Sequence, residues 1–167
     1  MRMLCLERLL DNVKVRTIIK EIKYSKNEFK NWLFDWSKTE KKAYKILVLY
    51  VEGDNRIQGA ISIRENPQNR TIEIDIVESA PFNSSYNKKI KDKEYNGVGI
   101  CLFVEVCKRS FENGYDGYVE FTAKSNLVKY YMDNMRAIPI DAQRMYINTS
   151  GAKWLIEKYY GGVDLWC

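Results

Sequence analysis

The 167-residue sequence contains no histidine and only four cysteines, Cys5, Cys101, Cys107 and Cys167. The absence of histidine excludes a Ser-His-Asp triad, a Cys-His dyad and any histidine-ligated metal centre. The cysteines form no CxxC pair, and two of them fall within one apolar segment, so we expect buried thiols and not disulfides or zinc ligands. Chemistry must therefore come from carboxylates, phenols, amines, thiols or the backbone.

Long apolar runs are also absent. The longest, residues 45–53, is far shorter than the ~20 residues that a membrane span requires. The N-terminal segment is interrupted by Glu7, Arg8 and Asp11, which is unlike a signal sequence. We therefore expect a cytoplasmic protein with no membrane partner. A composition of 46% apolar and 29% charged residues predicts a single globular domain over residues 1–167.

The formal net charge is +5, and part of it lies in the lysine-rich segment 86–95. A modest positive charge of this kind indicates attraction to an anionic ligand more than wholesale nucleic-acid binding. A solvated loop rich in lysine explains the same segment equally well. Both interpretations stay open at this stage.

Hydrophobic periodicity and turn residues predict a mixed α/β sheet, mostly antiparallel, with helices on both faces. The predicted strands are residues 13–24, 44–53, 56–65, 70–79, 117–123 and 144–148, and the predicted helices are residues 2–11, 25–42, 97–112, 126–135 and 150–160. The second helix would begin at Ser25 as N-cap, with Glu28 completing a capping box. Gly114 would end the third helix.

Two glycines, Gly97 and Gly99, lie at the start of the helix predicted at 97–112, although glycine costs roughly 1 kcal/mol inside a helix. The unpaired N–H groups of a helix N-terminus attract phosphate, and glycine leaves them accessible. The turn is not a dinucleotide fingerprint, because Leu102 stands where a third glycine would be needed, and no Gly-Lys-Ser/Thr P-loop occurs. Its setting after an antiparallel meander favours another kind of phosphate site.

The turn "EYNGVG", residues 94–99, resembles the phosphate-binding turn of the GNAT superfamily of N-acetyltransferases, and the likeness extends over about residues 13–160. The segments "ESAPFN" (78–83), "GVGICLF" (97–103) and "AKSNLVKYY" (123–131) are similar to those of one bacterial subgroup. The resemblance implies a mostly antiparallel GNAT-like sheet of six to seven strands, acetyl-CoA as cosubstrate and no metal. It implies coenzyme contacts from Val77, Tyr95, Asn96, Gly97, Val98, Gly99, Ile100, Lys124 and Asn126.

Two residues are candidates for catalysis of acetyl transfer to an amine. Glu78 ends the strand that carries Ile72, Ile74 and Ile76, and strand parity places it on their apolar side, where burial would raise its pKa into a range useful for a general base. The resemblance implies that such a base acts through water. The alternative is that Glu78 caps a neighbouring loop. Resemblance makes Tyr131 the general acid for the CoA thiolate, with adjacent Tyr130 as the other candidate and core packing as the alternative for Tyr131.

The sequence departs from the family pattern at several places. Glu94 stands in the usual Gln or Arg place, Lys124 replaces a common Asn, and residues 134–138 replace a Gly-Phe. Trp32 and Trp36 would, by resemblance, wall the acceptor cleft, although core packing explains them equally well. The acceptor, a small molecule or a peptide bearing an amine, and the oligomeric state, monomer or homodimer, stay open.

Two other functions compete with the enzyme. A sensor of the same fold would bind acyl-CoA without turnover. An RNA-binding module is suggested by "GYDGYVEF", residues 114–121, but Tyr115 and Tyr118 are three residues apart and would point to opposite faces of a strand. Asp116 would also place a negative charge where bases stack, so we do not expect a nucleic-acid partner.

Overall fold

The computed structural model describes residues 5–84 and 93–161. Most of the lysine-rich segment 86–95, and Cys167, lie outside these ranges. The strands are β1 (Cys5–Arg8), β2 (Val13–Ile22), β3 (Lys45–Val51), β4 (Gly59–Asn66), β5 (Thr71–Ser79), β6 (Tyr95–Asn96), β7 (Val119–Thr122), β8 (Ile138–Pro139) and β9 (Arg144–Ile147). The helices are α1 (Val98–Glu112), α2 (Val128–Met135) and α3 (Thr149–Ile156), which continues as a π-helical turn, Glu157–Gly161.

The strands form one sheet in the order β6-β1-β2-β3-β4-β5-β7-β9-β8. Every neighbouring pair is antiparallel except β5 and β7, which run parallel. The predicted fold class, a mixed and mostly antiparallel sheet with helices, is confirmed. The prediction of helices on both faces is wrong for the described residues, because α1, α2 and α3 all pack against one face and the segment with the 3-10 helix Trp36–Lys38 covers the other. The sheet described here has nine strands and not six to seven, because the short strands β1, β6 and β8 extend the six that periodicity indicates.

Side chains alternate across the sheet and build two cores. In β3, Leu47 and Leu49 face a large core formed with α1 and α3, whereas Ile46 and Val48 face a smaller one. This alternation is the period-two pattern of a strand buried on both faces. Helix α1 lies centrally in the large core, where Phe103 is 1% exposed. Removing such a ring would cost about 3 to 5 kcal/mol.

The helix predicted at residues 2–11 is wrong. Cys5–Arg8 is strand β1 and pairs with Val13–Arg16 of β2. The connecting turn contains Asn12 with φ +57°, and an ion pair between Arg8 and Asp11 at 2.8 Å supports it. Leu6 is fully buried in the large core, so a hairpin buries the apolar side chain that suggested a helix. Tertiary burial prevails here over a weak helical pattern.

The helix predicted at residues 25–42 is also wrong. This segment consists of turns and contains one short 3-10 helix, Trp36–Lys38, which covers the second face of the sheet. Asn31 has φ +68°, which interrupts a helix, and Asp35 caps the 3-10 helix in place of the predicted capping box at Ser25 and Glu28. The segment is held by aromatic packing: ring centroids of Phe29 and Trp36 lie 5.0 Å apart.

The C-terminal helix packs on α1 through a buried hydrogen bond. The Tyr160 hydroxyl donates to Glu105 Oε2 at 2.8 Å, and Lys108 and Arg109 contact the same carboxylate. Burial and the neighbouring Glu105 raise the pKa of Tyr160. None of the helices within residues 5–84 and 93–161 has the length and apolar character of a membrane span.

Candidate functional site

Strands β5 and β7 pair with each other over two residues only, and both continue beyond the paired part; we call the region between their carboxyl ends the cleft. Their parallel pairing comprises Ile72 with Val119 and Glu73 with Glu120. Beyond this point β5 contains a bulge, because Ile63 pairs with Ile74 whereas Ile61 pairs with Val77. A bulge bends a strand and turns the following side chains to the other face. The two candidate catalytic residues lie on the elements that border this cleft.

The bulge changes the face on which Glu78 lies. Ile72 and Ile74 pack in the large core, whereas Ile76 packs against the smaller one. The strand-parity argument that placed Glu78 beside all three isoleucines is therefore wrong for Ile72 and Ile74. Glu78 shares its face only with Ile76, because the inserted residue shifts the alternation by one position.

The Glu78 carboxylate binds the loop that covers the second face. Its Oε2 accepts a hydrogen bond from the Leu33 N–H at 2.6 Å, and its Oε1 accepts from the Phe34 N–H at 3.1 Å and from Trp36 Nε1 at 2.9 Å. Capping of a neighbouring loop, the alternative left open by the sequence, is what the structure contains. Trp36 is 1% exposed, so it is a core residue that also orients Glu78.

The same loop reaches across to the end of β7. Lys124 Nζ lies 5.5 Å from the centre of the Phe34 ring, a cation–π distance. Phe34 is 42% exposed and Leu33 is 67% exposed, so the loop presents apolar surface beside the cleft. Residues 33–36 thus connect the β5 side of the cleft, through Glu78, with the β7 side, through Lys124.

Helix α1 begins at the glycine turn, as predicted. Gly97 is the N-cap residue and has the left-handed angles φ +94° and ψ 7°, which glycine adopts without steric cost. The first helical hydrogen bond runs from the Cys101 N–H to the Gly97 carbonyl at 3.0 Å. The N–H groups of Val98, Gly99 and Ile100 therefore precede the hydrogen-bond ladder of the helix, and a partial positive charge accompanies them.

The space around Gly99 and Gly59 shows whether protein contacts require glycine at each position. A Cβ atom on Gly99 would meet nothing within 4 Å, so no protein contact requires glycine there. On β4, a Cβ atom on Gly59 would lie 2.3 Å from Val98 Cγ1, so glycine at that position lets α1 approach the sheet. The space beside Gly99 is thus open next to the first-turn N–H groups of α1, the groups that bind phosphate at a helix N-terminus.

Tyr131 is half-buried on α2. Its ring centroid lies 5.5 Å from that of Phe103 and 4.9 Å from that of Phe121, so aromatic packing fixes its orientation at the end of β7. Adjacent Tyr130 is 42% exposed, and burial of its hydroxyl raises its pKa. A raised pKa keeps the Tyr130 hydroxyl protonated at neutral pH, which suits a proton donor.

The remaining predicted contacts form two groups. The first group, residues 95–100, runs from β6 through the glycine turn into the start of α1. In this group Tyr95 and Val98 are buried, and Asn96, Gly97, Gly99 and Ile100 are at least partly accessible. Val77 is half-buried against the large core, on the side of β5 that faces α1. Lys124 and Asn126 are exposed at the start of α2, on the opposite border of the cleft from Val77.

Sequence reasoning missed the network behind the turn. Asn83, which is 2% exposed, accepts a hydrogen bond from the Tyr95 N–H at 3.0 Å, and Arg56 binds Glu94 through two hydrogen bonds of 2.9 and 3.1 Å. The sequence contains one pointer to this network, because Asn83 is the last residue of the segment "ESAPFN". Its hydrogen-bond partners could not be identified in the same way, because they are remote in sequence. Glu94, the departure from the family pattern, is thereby neutralised by Arg56.

Cys101 and Cys107 are buried thiols, as predicted, and burial raises the pKa of each to about 12. A thiol of this kind is a poor nucleophile at neutral pH. Among the residues that the structure describes, no three side chains of the Cys, Asp and Glu types come together as metal ligands.

Comparison with known proteins gives a likeness of structure only. Neither the protein-family models nor the curated proteins contain a match. Among solved structures, a Bacillus subtilis acetyltransferase in complex with CoA is 12% identical with a TM-score of 0.53, and covers 80% of this chain and 99% of its own. A chimera of a Vibrio cholerae spermidine N-acetyltransferase is 14% identical with a TM-score of 0.57, and covers 82% of this chain and 98% of its own.

A third similar structure is a putative acetyltransferase from an Exiguobacterium species, which is 12% identical with a TM-score of 0.54 and covers 81% of this chain and 95% of its own. These likenesses extend over almost the whole of the known chains. They show that this chain has the GNAT-type fold that the sequence resemblance implied. At such identities they show the fold alone, because one fold hosts many activities.

Proposed function

We propose that the protein transfers the acetyl group of acetyl-CoA to a primary amine. The observation that carries the proposal is the start of α1, where three N–H groups precede the helical ladder beside the open volume at Gly99. Each charge-assisted hydrogen bond from such a group to a phosphate is worth roughly 1.5 to 3 kcal/mol. The residues present therefore fit the pyrophosphate of the coenzyme.

The coenzyme would supply the acetyl thioester, and the protein would supply position and proton transfer. An amine with a pKa of ~10.4 is neutral in only about one of 2,500 molecules at pH 7, a cost of roughly 4 to 5 kcal/mol. A general base that removes the proton near the thioester lowers this cost. The departing CoA thiolate needs a proton from a second group, on the opposite side of the thioester from the base.

Glu78 is the proposed base, acting through a water molecule. A carboxylate has about four acceptor sites, and N–H groups from Leu33, Phe34 and Trp36 occupy three of them. One site is left for a water molecule that contacts the amine. In this arrangement the three donors hold the carboxylate still, and the exposed side chains of residues 33 and 34 border the acceptor.

Tyr131 is the proposed acid for the CoA thiolate. Packing against Phe103 of α1 and Phe121 of β7 holds its half-buried side chain beside the end of β7. Tyr130 is the alternative, since it is the more exposed of the two. The proposed coenzyme contacts are the turn 95–100, Val77, Lys124 and Asn126.

One observation favours a second candidate function. Because Glu78 already accepts three hydrogen bonds, it serves equally well as the structural anchor of a loop in a protein that binds acyl-CoA without turnover. Such a sensor would bind the coenzyme with the same turn. The two functions differ in their response to an amine, because only the enzyme would release CoA when an amine acceptor is present.

The test is coenzyme A release from acetyl-CoA in the presence of a panel of amines: small amines, polyamines, and peptides with a free N-terminus or lysine. Acetyl-CoA binding by calorimetry is measured in parallel. Binding together with amine-dependent thiol release would support the enzyme. Binding without release for every amine would support the sensor, and an absence of binding would contradict both.

A further inference from the structure

Asn83 lies behind the glycine turn and not in the cleft. It is 2% exposed, at the end of the 3-10 helix Pro81–Asn83 that follows β5. A buried amide side chain is costly unless its donor and acceptor groups are satisfied. The partners of Asn83 therefore show which parts of the chain it holds.

Among residues 5–84 and 93–161, the side-chain hydrogen bonds of Asn83 go to two segments of the chain. Its Oδ1 accepts from the Tyr95 N–H at 3.0 Å, and its Nδ2 donates to the Gln58 carbonyl at 3.2 Å and to Gln58 Oε1 at 2.8 Å. Gln58 is itself fully buried, and its carbonyl also accepts from the Ala80 N–H at 2.9 Å. One side chain thus joins the start of β4, the end of β5 and the residue two positions before Gly97.

Further contacts hold the same stretch from outside. Arg56 binds Glu94 through both terminal guanidinium nitrogens and binds Asp54 at 2.8 Å. The Glu94 N–H donates to the Phe82 carbonyl at 3.2 Å. These groups are at the surface, so each contributes less than the buried amide. Residues 94 and 95 are therefore fixed to residues 82 and 83 before the chain enters the glycine turn.

We propose that Asn83 is a positioning residue for the glycine turn: it fixes the N–H groups of Val98, Gly99 and Ile100 relative to the strand that carries Glu78. This inference rests on the proposed function, because it concerns the turn that would bind the coenzyme. Asn83 does not contact the ligand in this scheme. Its effect reaches the glycine turn through the Tyr95 N–H. By holding the turn, Asn83 would set the distance between the site of the pyrophosphate and the site of the acetyl group.

The test uses the whole protein and three variants. Asn83→Ala removes all three side-chain hydrogen bonds of Asn83. Gln58→Met removes only the bond from Asn83 to Oε1 and keeps the Gln58 carbonyl, although it also removes the Gln58 Nε2 bonds to the Arg56 carbonyl and to Asp54. The matched control is Ser110→Ala, because Ser110 is fully buried at the other end of α1 and its hydroxyl donates to the Tyr118 carbonyl at 2.9 Å. Thermal unfolding of each variant records the loss of stability.

Two measurements separate positioning from stability. Hydrogen exchange of the hydrogen-bonded amides of Tyr95 and Cys101 is expected to quicken at least about tenfold in Asn83→Ala, less in Gln58→Met, and not in Ser110→Ala. Calorimetric affinity for CoA is expected to fall about tenfold in Asn83→Ala and to stay within about twofold in Ser110→Ala. If the proposed reaction is measurable, KM for acetyl-CoA should rise while KM for the amine stays constant.

The outcomes distinguish the two proposals. Unchanged exchange and unchanged CoA affinity in Asn83→Ala, or equal effects in the control, would overturn the positioning role. If Asn83→Ala does not fold, Gln58→Met decides by the same measurements, with a smaller effect in the same direction. If the unmodified protein does not bind CoA, the proposed function fails, and the exchange measurement alone still decides whether Asn83 orders the turn.

Discussion

Gly99→Glu provides the sharpest test of the glycine turn. A Cβ atom at residue 99 meets nothing within 4 Å, and the residue has helical backbone angles, so the fold tolerates a side chain there. Replacing glycine in a helix gains about 0.5 to 1 kcal/mol, and a carboxylate in the first turn gains about 0.3 to 1 kcal/mol from the helix dipole. The variant should unfold at a higher temperature, by about 2 to 8 °C.

The same carboxylate would occupy the place proposed for phosphate. It would remove at least one charge-assisted hydrogen bond, worth about 1.5 to 3 kcal/mol. It would add a repulsion of about 3 kcal/mol between charges ~5 Å apart at an effective dielectric constant of ~20. Together these effects correspond to a rise of about 10³- to 10⁴-fold in Kd for CoA.

The assay is calorimetric titration with CoA beside thermal unfolding. Gly99→Ala is the control for added volume, because it introduces only a Cβ atom into open space, and Gly99→Gln separates charge from size. We expect affinity in the order Ala, Gln, Glu from strongest to weakest. A stable Gly99→Glu variant with unchanged affinity would refute the phosphate site.

Three further predictions concern single side chains. Tyr131→Phe should lower turnover about 10²-fold with little change in CoA affinity, and full activity would move the role to Tyr130. Glu78→Ala should release the loop around Trp36, seen as faster exchange of the Leu33 and Phe34 amides, whereas unchanged exchange would deny the anchoring role. For Glu73, burial opposes ionisation, but hydrogen bonds with Glu120 and Arg64 hold the pKa at about 2, below the usual 4.5. Its stabilising effect is present above pH 4.5 and is lost as pH falls toward 2, so Glu73→Gln should cost about 1 to 3 kcal/mol at pH 7 and almost nothing near pH 2. A cost independent of pH, measured by denaturant titration, would contradict this.

The central strands and α1 could be predicted from the sequence because their patterns are local. The meander β3–β5 alternates with period two and has clear turn residues, and the glycine turn marks the start of α1. Local pattern and tertiary burial agree in these elements. The fold class follows from their order, and the comparison with solved structures confirms it.

The sequence-based predictions are wrong for segments whose conformation depends on contacts with residues far away in the sequence. Residues 25–42 have a helical spacing of aromatic side chains, but Trp36 and its neighbours bind Glu78, more than forty residues away in sequence. Leu6 is buried by a hairpin, not by a helix. The bulge in β5 cannot be read from residues 70–79, because an inserted residue shows only against the partner strand. The role of Asn83 depends on Gln58 and Tyr95 for the same reason.

A crystal structure of the protein with CoA bound would test the central claim most directly. We expect the pyrophosphate to accept hydrogen bonds from the N–H groups of Val98, Gly99 and Ile100, with the thiol in the cleft between β5 and β7. A pyrophosphate bound elsewhere, or a first turn of α1 covered by protein atoms, would contradict the claim.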